Sequence, residues 1–200
     1  MSVNIATLIL KKSLLALVIL SGAAGCTATS KTVVTLDYYQ VGGTTLSQID
    51  KEIKDKGPKL NGTVHAVAIS KIMMIPNVSF QPFEGGCAVK RAQIKVRATV
   101  LLPKWKNRRR AGKKIGQTWD NLDRYTRLHE ATHVIIADKH ARILEQKLGT
   151  IRSGRSCEEA GILAKRTIER AMRSHEKEQL QFDSSEKKRF ANAARKRKPT

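Results

Sequence analysis

The segment from residue 119 to residue 148 contains neither glycine nor proline and repeats apolar side chains at helical spacing. Such a pattern predicts a long amphipathic α-helix, and Gly149 directly after it is a typical C-terminal stop. We expect this helix to be the central element of the fold, with its apolar stripe facing a packed layer. The predicted stripe comprises Trp119, Leu122, Leu128, Ile136, Ile143 and Leu144.

The predicted helix contains the sequence His129-Glu130-Ala131-Thr132-His133, an H-E-x-x-H pattern. Histidines four residues apart lie on one helix face, one turn apart, where both can bind a single metal ion. Glu130 lies about 100° further round the helix, where its carboxylate can take a proton from a metal-bound water. The alternative is a pair of ordinary helix histidines. The mid-helix position, in a chain with only five histidines, favours a Zn²⁺ site and a hydrolase.

The third zinc ligand is not determined by the sequence. A catalytic zinc site uses three protein ligands and leaves one position open for water. His140 lies on the same stripe but two turns beyond His133, about 10 Å along the axis, which is too far for the same ion. The next helix offers other candidates, and they remain open: Glu158, Glu159, His175 and Asp183.

Three segments predict the strands of a small antiparallel sheet. Residues 32–39 are rich in β-formers, residues 64–72 are apolar enough for a buried strand, and residues 93–100 alternate apolar with polar side chains. Pro103 is expected to end the last strand, and residues 76–86 are expected to form a loop.

Two further helices are predicted on either side of these elements. The first carries Leu46, Ile49 and Ile53 at helical spacing, with Thr45 as N-cap and Gly57-Pro58 as the stop. The second begins at Ser156, which forms an S-x-x-E capping box with Glu159. Its predicted inward-facing residues are Ile162, Leu163, Ile168 and Met172.

The N-terminal residues 1–25 have the order of an export signal. Lys11 and Lys12 precede a short apolar run at 14–20, and small residues follow. The run is too short to cross a bilayer as a helix. Cys26 follows Ala24-Gly25, as in the cleavage box of bacterial lipoproteins, although alanine stands at position 23 where that box usually has leucine. Two outcomes stay open: a lipidated Cys26 anchored in the membrane, or ordinary cleavage that releases the protein into the periplasm or the medium.

The remaining cysteines, Cys87 and Cys157, are expected to form a disulfide. An exported compartment favours pairing over free thiols. The bridge would close a loop of about 70 residues and contribute about 4 kcal/mol through the unfolded state.

The chain is strongly basic, with a formal net charge of +21. Seven basic residues lie in each of two runs, at 104–114 and 187–200. We expect residues 183–200 to form a disordered basic tail, since the apolar period is lost after Phe182. Export separates the chain from most nucleic acid, so attraction to an anionic envelope surface is the favoured interpretation and nucleic-acid binding the disfavoured one.

Several short motifs in a fixed order resemble the bacterial family of predicted secreted zinc-dependent proteases known as domain of unknown function 922 (DUF922). They are Tyr38-Tyr39-x-Val41-x-Gly43-x-Thr45, Gly57-Pro58, Gly86-Cys87, Leu102-Pro103-x-Trp105, His129-Glu130-x-x-His133 and Cys157. The resemblance implies a metallopeptidase-like activity on a peptide or protein substrate, with His129 and His133 as zinc ligands and Glu130 as general base. In the family pattern an aromatic-Asp pair precedes a stretch with histidine and glycine. Phe182-Asp183 fits the pair, whereas residues 184–189 contain neither histidine nor glycine.

These observations predict an α+β, zincin-like domain spanning residues 26–182, in which a small antiparallel sheet packs on the H-E-x-x-H helix and on a second C-terminal helix. The expected function is that of an exported zinc metallopeptidase. The alternative is a catalytically inactive protein of the same fold that binds anionic envelope components. Substrate, cleavage preference and oligomeric state do not follow from the sequence.

Overall fold

The computed structural model describes residues 31–60 and 64–196 of the chain. Within them the helices are α1 (Leu46–Lys56), α2 (Lys113–Gly149) and α3 (Cys157–Lys196). The strands are β1 (Lys31–Val41), β2 (Lys59–Leu60), β3 (Val64–His65), β4 (Ile69–Phe83), β5 (Gly86–Trp105) and β6 (Arg152–Ser153). A 3₁₀ turn at Arg108–Arg110 leads into α2. The α+β class and the long H-E-x-x-H helix are therefore confirmed.

The main sheet has four strands and is mixed rather than antiparallel. Its order is β1-β5-β4, with β6 pairing the start of β5. β4 and β5 are antiparallel, whereas β1 runs parallel to β5, with Lys31 opposite Lys95 and Val41 opposite Trp105. The prediction of an antiparallel sheet was wrong at β1. A parallel pair needs a long crossover connection, and residues 42–85, which include α1 and β4, provide it.

The predicted loop at 76–86 is instead part of a long β-hairpin. β4 continues to Phe83 and pairs with β5 up to Gly86. Gly85 forms the turn with a φ of 80°, a conformation that glycine adopts without strain. Pro76 is tolerated because β4 is an edge strand among the described residues. Pro103 does not end β5 either, since only the β1 side of β5 is paired there.

The core lies between one face of this sheet and the helices α2 and α3. Alternate residues of β5 contribute Ile94 and Val96, which are fully buried against the α2 residues Ala137, Leu144 and Leu148. Alternation in the strand and the helical period of α2 thus meet in one apolar layer. Between the ends of β6 and β1, the buried Glu145 carboxylate accepts the Ile94 N–H at 2.6 Å.

Some residues of the predicted apolar stripes face solvent. Leu128 is 67% exposed and Ile162 is 47% exposed, whereas the small Ala160 and Ala164 are buried. In the first turns of α3 the alanines face the core, so the larger apolar side chains of these turns lie outside the core contact. Ile168 and Met172 pack against the core as predicted.

A second core cluster closes the end of the sheet. Ile49 and Ile53 of α1 pack on Val41, Trp105 and Trp119. Thr45 caps α1 in a full capping box with Gln48, and the helix ends at Lys56, before Gly57. The predicted cap, stop and burial of Ile49 and Ile53 are therefore confirmed, whereas Leu46 at the start of the helix is exposed.

The disulfide between Cys87 and Cys157 is formed, with the two Cα atoms 4.9 Å apart. It joins the start of β5 to the start of α3. The preceding glycine is required by close packing, because a Cβ at Gly86 would lie 2.0 Å from the carbonyl oxygen of Ser153 in β6. Gly86-Cys87 therefore forms one structural unit with β6.

The predicted disordered tail at 183–200 differs from the structure, in which α3 continues without a break to Lys196. Contacts with α2 account for this extension. The Tyr125 hydroxyl donates to the Glu186 carboxylate at 2.7 Å, and the Phe190 ring packs edge-on against the Tyr125 ring. The predicted end of the folded domain at residue 182 was wrong. Two residues, Glu186 and Phe190, attach this part of α3 to α2 without a regular apolar period.

The export signal at 1–25, Cys26 and the last residues of the tail at 197–200 lie outside the described residues. Both long helices are too polar for a bilayer, and none in the described part of the chain could span one.

Candidate metal centre

Helices α2 and α3 pack antiparallel, which brings three residues of α3 opposite the H-E-x-x-H segment. His175, Gln179 and Asp183 follow one another at intervals of four, so they lie on one face of α3. This face meets His129 and His133 of α2. The site is therefore assembled by the pairing of two helices.

Three donor atoms converge at the contact between α2 and α3, which we call the seam. The Nε2 atoms of His129 and His133 are 3.2 Å apart. The Asp183 Oδ1 atom lies 3.0 Å from the His133 Nε2 atom and 3.4 Å from the His129 Nε2 atom. His129, His133 and Asp183 form the group of described residues whose donor atoms are spaced for a shared metal ion. Asp183 is the only one of the four open candidates in that group.

Gln179 fixes the orientation of the His133 ring. Its amide nitrogen donates to the His133 carbonyl oxygen at 3.0 Å, so its amide oxygen faces the His133 Nδ1 atom, 2.5 Å away. That oxygen can only accept, and Nδ1 must therefore carry the proton. In neutral His133 the Nε2 atom then presents a lone pair toward His129 and Asp183.

This arrangement fits a bound cation. In neutral His133 the Nε2 lone pair and the nearby Asp183 carboxylate both accept, so a cation placed between them would satisfy both groups. Ligands about 2.0–2.2 Å from a tetrahedral zinc ion lie about 3.3–3.6 Å from one another. The observed separations of 3.0, 3.2 and 3.4 Å are slightly shorter or within this range. Two imidazoles and one carboxylate are also a ligand set that zinc accepts while keeping an open position. The buried His129 Nδ1 atom lacks a hydrogen-bond partner among the described residues.

Glu130 is held on the sheet side of α2. Its side chain is 5% exposed, and its Oε2 atom accepts a hydrogen bond of 2.7 Å from the Ser70 hydroxyl of β4. This contact leaves the second carboxylate oxygen available. Ser70 thereby orients the predicted general base.

A cavity of about 540 Å³ lies over these groups. His129, Glu130, His133 and Asp183 line it from the helices. Five residues line it from β4 and the segment before it, namely Ala66, Ala68, Ile69, Ser70 and Ile72. β4 is an edge strand among the described residues, so its outer edge borders the cavity with unpaired backbone groups. The cavity can thus accept an extended chain next to the histidines.

Aromatic rings pack beside the two histidines. The Phe182 ring lies 4.9 Å from the His129 ring and 5.1 Å from the His133 ring. The Tyr125 ring lies 6.0 Å from the His129 ring. Burial, and then the hydrogen bond to the Glu186 carboxylate, raise the pKa of Tyr125 above its usual value, so its hydroxyl stays a donor at neutral pH.

A second polar layer continues along the seam beyond Gln179. The Gln179 amide also donates to the His175 Nε2 atom at 2.8 Å, and His140 contacts the Glu178 carboxylate at 2.9 Å. Burial, and then the charge of His140, lower the pKa of His175. His175 therefore accepts this hydrogen bond as a neutral ring, and Gln179 connects it to His133. His140 lies in the same polar layer between α2 and α3.

The structure places Glu158 and Glu159 in the first turn of α3, away from the histidines, and gives Glu159 other partners. Glu159 accepts a hydrogen bond from the Ser153 hydroxyl, and Arg155 lies 3.6 Å from its second oxygen. Its backbone N–H donates to the Ser156 hydroxyl, so one half of the predicted capping box is present. Both glutamates lie about 37 Å along α3 from Asp183, far from the histidines.

Sequence reasoning missed two residues of the site, Gln179 and Ser70. A signal for Gln179 was present, since the pattern His175-x-x-x-Gln179-x-x-x-Asp183 places three polar groups on one helix face. No comparable pattern marks Ser70, whose contact with Glu130 depends on how the sheet lies against α2.

Residues 36–190 match the model of the DUF922 family, which is described as a bacterial protein of unknown function. The match covers well over half of the chain. The chain belongs to the DUF922 family. No curated protein and no solved structure matches it.

The family match includes every residue of the candidate centre. The DUF922 region contains Ser70, the H-E-x-x-H segment, Gln179 and Asp183, and it also spans both disulfide cysteines. Its description names no activity, so the chemistry of this DUF922 protein must be argued from the site.

Proposed function

We propose that this protein is a zinc-dependent metallohydrolase of zincin-like architecture, and specifically a metallopeptidase. The observation that carries the proposal is the convergence of His129, His133 and Asp183 in a cavity that also contains Glu130. His129 and His133 would bind Zn²⁺ through Nε2, and Asp183 through Oδ1. Bound zinc would act as a Lewis acid and lower the pKa of a water ligand to about 7.

Glu130 is the proposed general base and proton carrier. Its carboxylate would take a proton from the attacking water and deliver it to the leaving nitrogen of the cleaved peptide bond. The hydrogen bond from Ser70 keeps the carboxylate aimed into the cavity. Gln179 keeps the His133 Nε2 lone pair directed at the metal position.

The proposed substrate is an extended peptide. The outer edge of β4 offers unpaired backbone groups at the border of the cavity, and such an edge can pair with a substrate backbone. This pairing would recognise main-chain atoms and would position a peptide carbonyl between Glu130 and the histidines.

We also propose that the protein is exported and acts in the periplasm, at the membrane or in the medium. The disulfide supports this location, because such bridges persist in oxidising compartments. Cys26 would provide the lipid anchor if the signal is of the lipoprotein type.

A second candidate function is zinc binding without turnover. It is motivated by residues 184–189, which contain no histidine, and by the 51% exposure of the Asp183 side chain. An exposed carboxylate holds a metal less firmly than a buried imidazole, since water competes for it. In this case the protein would bind anionic envelope components and would not cleave them.

The substitution Glu130→Gln separates metal binding from chemistry. We expect the variant to retain zinc and to lose cleavage of an unfolded protein substrate by at least about 100-fold, as for other general bases. His129→Ala should lose the metal as well, and Glu169→Gln on the exposed surface of α3 serves as the control. Zinc content and chelator-sensitive release of peptides are measured on the same samples. Undiminished cleavage by Glu130→Gln would refute the peptidase assignment, and zinc without cleavage in the wild type would support the second candidate.

A further inference from the structure

One face of the main sheet is covered by α2 and α3. The opposite face is covered by α1 only at its end, near Val41 and Trp105, and is open to solvent in its middle part. Even-numbered residues of β5 such as Ile94 and Val96 are buried against α2, so the odd-numbered residues project from the opposite face. On that face Lys95 and Arg97 are exposed. Their direct neighbours in β1 and β4 lie on the same face because paired residues share a face.

The register of the three strands defines a patch on this open face. One row is Lys31, Lys95 and Ile75, the next is Val33, Arg97 and Met73, and the third is Thr35, Thr99 and Lys71. We call these nine residues the outer patch. From strand and residue spacing it measures roughly 10 by 14 Å.

The outer patch mixes exposed apolar and cationic side chains and contains no acid. Val33, Met73 and Ile75 are 48%, 57% and 37% exposed. The four cations Lys31, Lys71, Lys95 and Arg97 form no ion pair within the described residues. Other basic residues of the chain, including Arg108, Arg127 and Arg142, do pair with carboxylates. The patch therefore presents four closely spaced, uncompensated positive charges to solvent.

We propose that the outer patch binds the surface of an anionic phospholipid bilayer. Cations attract lipid phosphates, and the interspersed valine, methionine and isoleucine can enter the apolar boundary below the headgroups. Nucleic acid fits less well, because a single-strand platform relies on aromatic stacking and the patch has no aromatic residue.

The position of the outer patch agrees with membrane docking in two respects. The cavity with His129 and Glu130 lies on the helix-covered side of the sheet, so a docked protein keeps that cavity free. In addition, Lys31 of the patch follows Cys26 by five residues, a distance of at most about 17 Å of extended chain. A membrane-anchored N-terminus would therefore deliver this face to the bilayer.

Vesicle binding of matched charge variants tests the proposal. The full chain is compared with Lys71→Gln/Lys95→Gln/Arg97→Gln and with a control, Lys147→Gln/Arg166→Gln/Lys177→Gln, which removes equal charge from exposed helix positions. Binding is measured by flotation with vesicles of phosphatidylcholine alone and of phosphatidylcholine mixed equally with phosphatidylglycerol. All three proteins carry the same N-terminus, so a difference between them reports the substituted positions.

We expect binding only to vesicles with phosphatidylglycerol. It should weaken about 100-fold in the outer-patch variant, since each cation near such a surface contributes about fivefold. The control should bind within about threefold of the wild type. The single substitution Met73→Ser should by itself weaken vesicle binding. High salt should release the wild type. Equal vesicle binding by both triple variants, or binding that does not depend on lipid charge, would overturn the proposal. It would also be overturned if the patch mediates dimer formation, or if duplex DNA binds through it and vesicles do not.

Discussion

At the scale of single residues, the candidate centre depends on how one side chain orients another. The positions of His129 and His133 follow from helical spacing, but the direction of the His133 lone pair follows from Gln179. The amide orientation is fixed by the His133 carbonyl, which can only accept. In the proposed site Gln179 would thus be a positioning residue that does not itself bind the metal.

Gln179→Leu should therefore weaken zinc binding without removing a ligand. Loss of such a hydrogen-bond partner typically lowers metal affinity 10- to 100-fold, and we expect an effect of about that size. Affinity is measured by competition with a chromogenic chelator. Gln181→Leu, at an exposed position two residues away, is the control and should bind zinc as the wild type does. Equal affinity for both variants would remove Gln179 from the site.

At the scale of secondary-structure elements, the centre depends on the alignment of α2 with α3. Asp183 and the histidines are about 50 residues apart, and only the antiparallel packing of the two helices brings them together. The disulfide fixes the start of α3 on β5, and the contacts of Tyr125 with Glu186 and Phe190 fix its far end. Gln179 and Asp183 lie between these two anchors.

Removal of the disulfide should lower stability substantially. Cys87→Ser/Cys157→Ser releases a loop with a sequence separation of 70, and we expect a loss of about 4 kcal/mol in the free energy of unfolding. Chemical denaturation followed by far-UV circular dichroism measures it, with the reduced wild type as a parallel sample. An unchanged denaturation midpoint in both samples would show that the bridge does not constrain the unfolded chain.

The elements differ in how far local sequence predicts them. α1 was predicted with its cap and its stop because these signals are local, and so was the end of α2 at Gly149. The parallel pairing of β1 was missed because its register depends on a crossover of more than forty residues. Pro76 and Gly86 suggested a loop. However, Pro76 lies in the edge strand β4, and Gly86 begins β5 directly after a tight turn.

At the scale of the whole molecule, we propose different roles for the two faces of the sheet. The inner face packs on α2 and α3 and supports the candidate centre, while the outer face carries the four exposed cations of the outer patch. Composition predicted the charge and its preference for an anionic surface. It could not indicate the outer patch as the proposed place of binding, because the patch exists only in the register of three strands. The same holds for Asp183, which the sequence left as one of four candidates.

The zinc content of the purified protein tests the central claim most directly. Elemental analysis after exhaustive dialysis should find about one zinc ion per chain in the wild type, as three protein ligands hold the ion. His133→Ala and Asp183→Ala should each retain far less, whereas Glu158→Ala, at an exposed position in the first turn of α3, should match the wild type. Absence of zinc from the wild type after reconstitution, or equal zinc in all four proteins, would contradict a metal centre shared by α2 and α3.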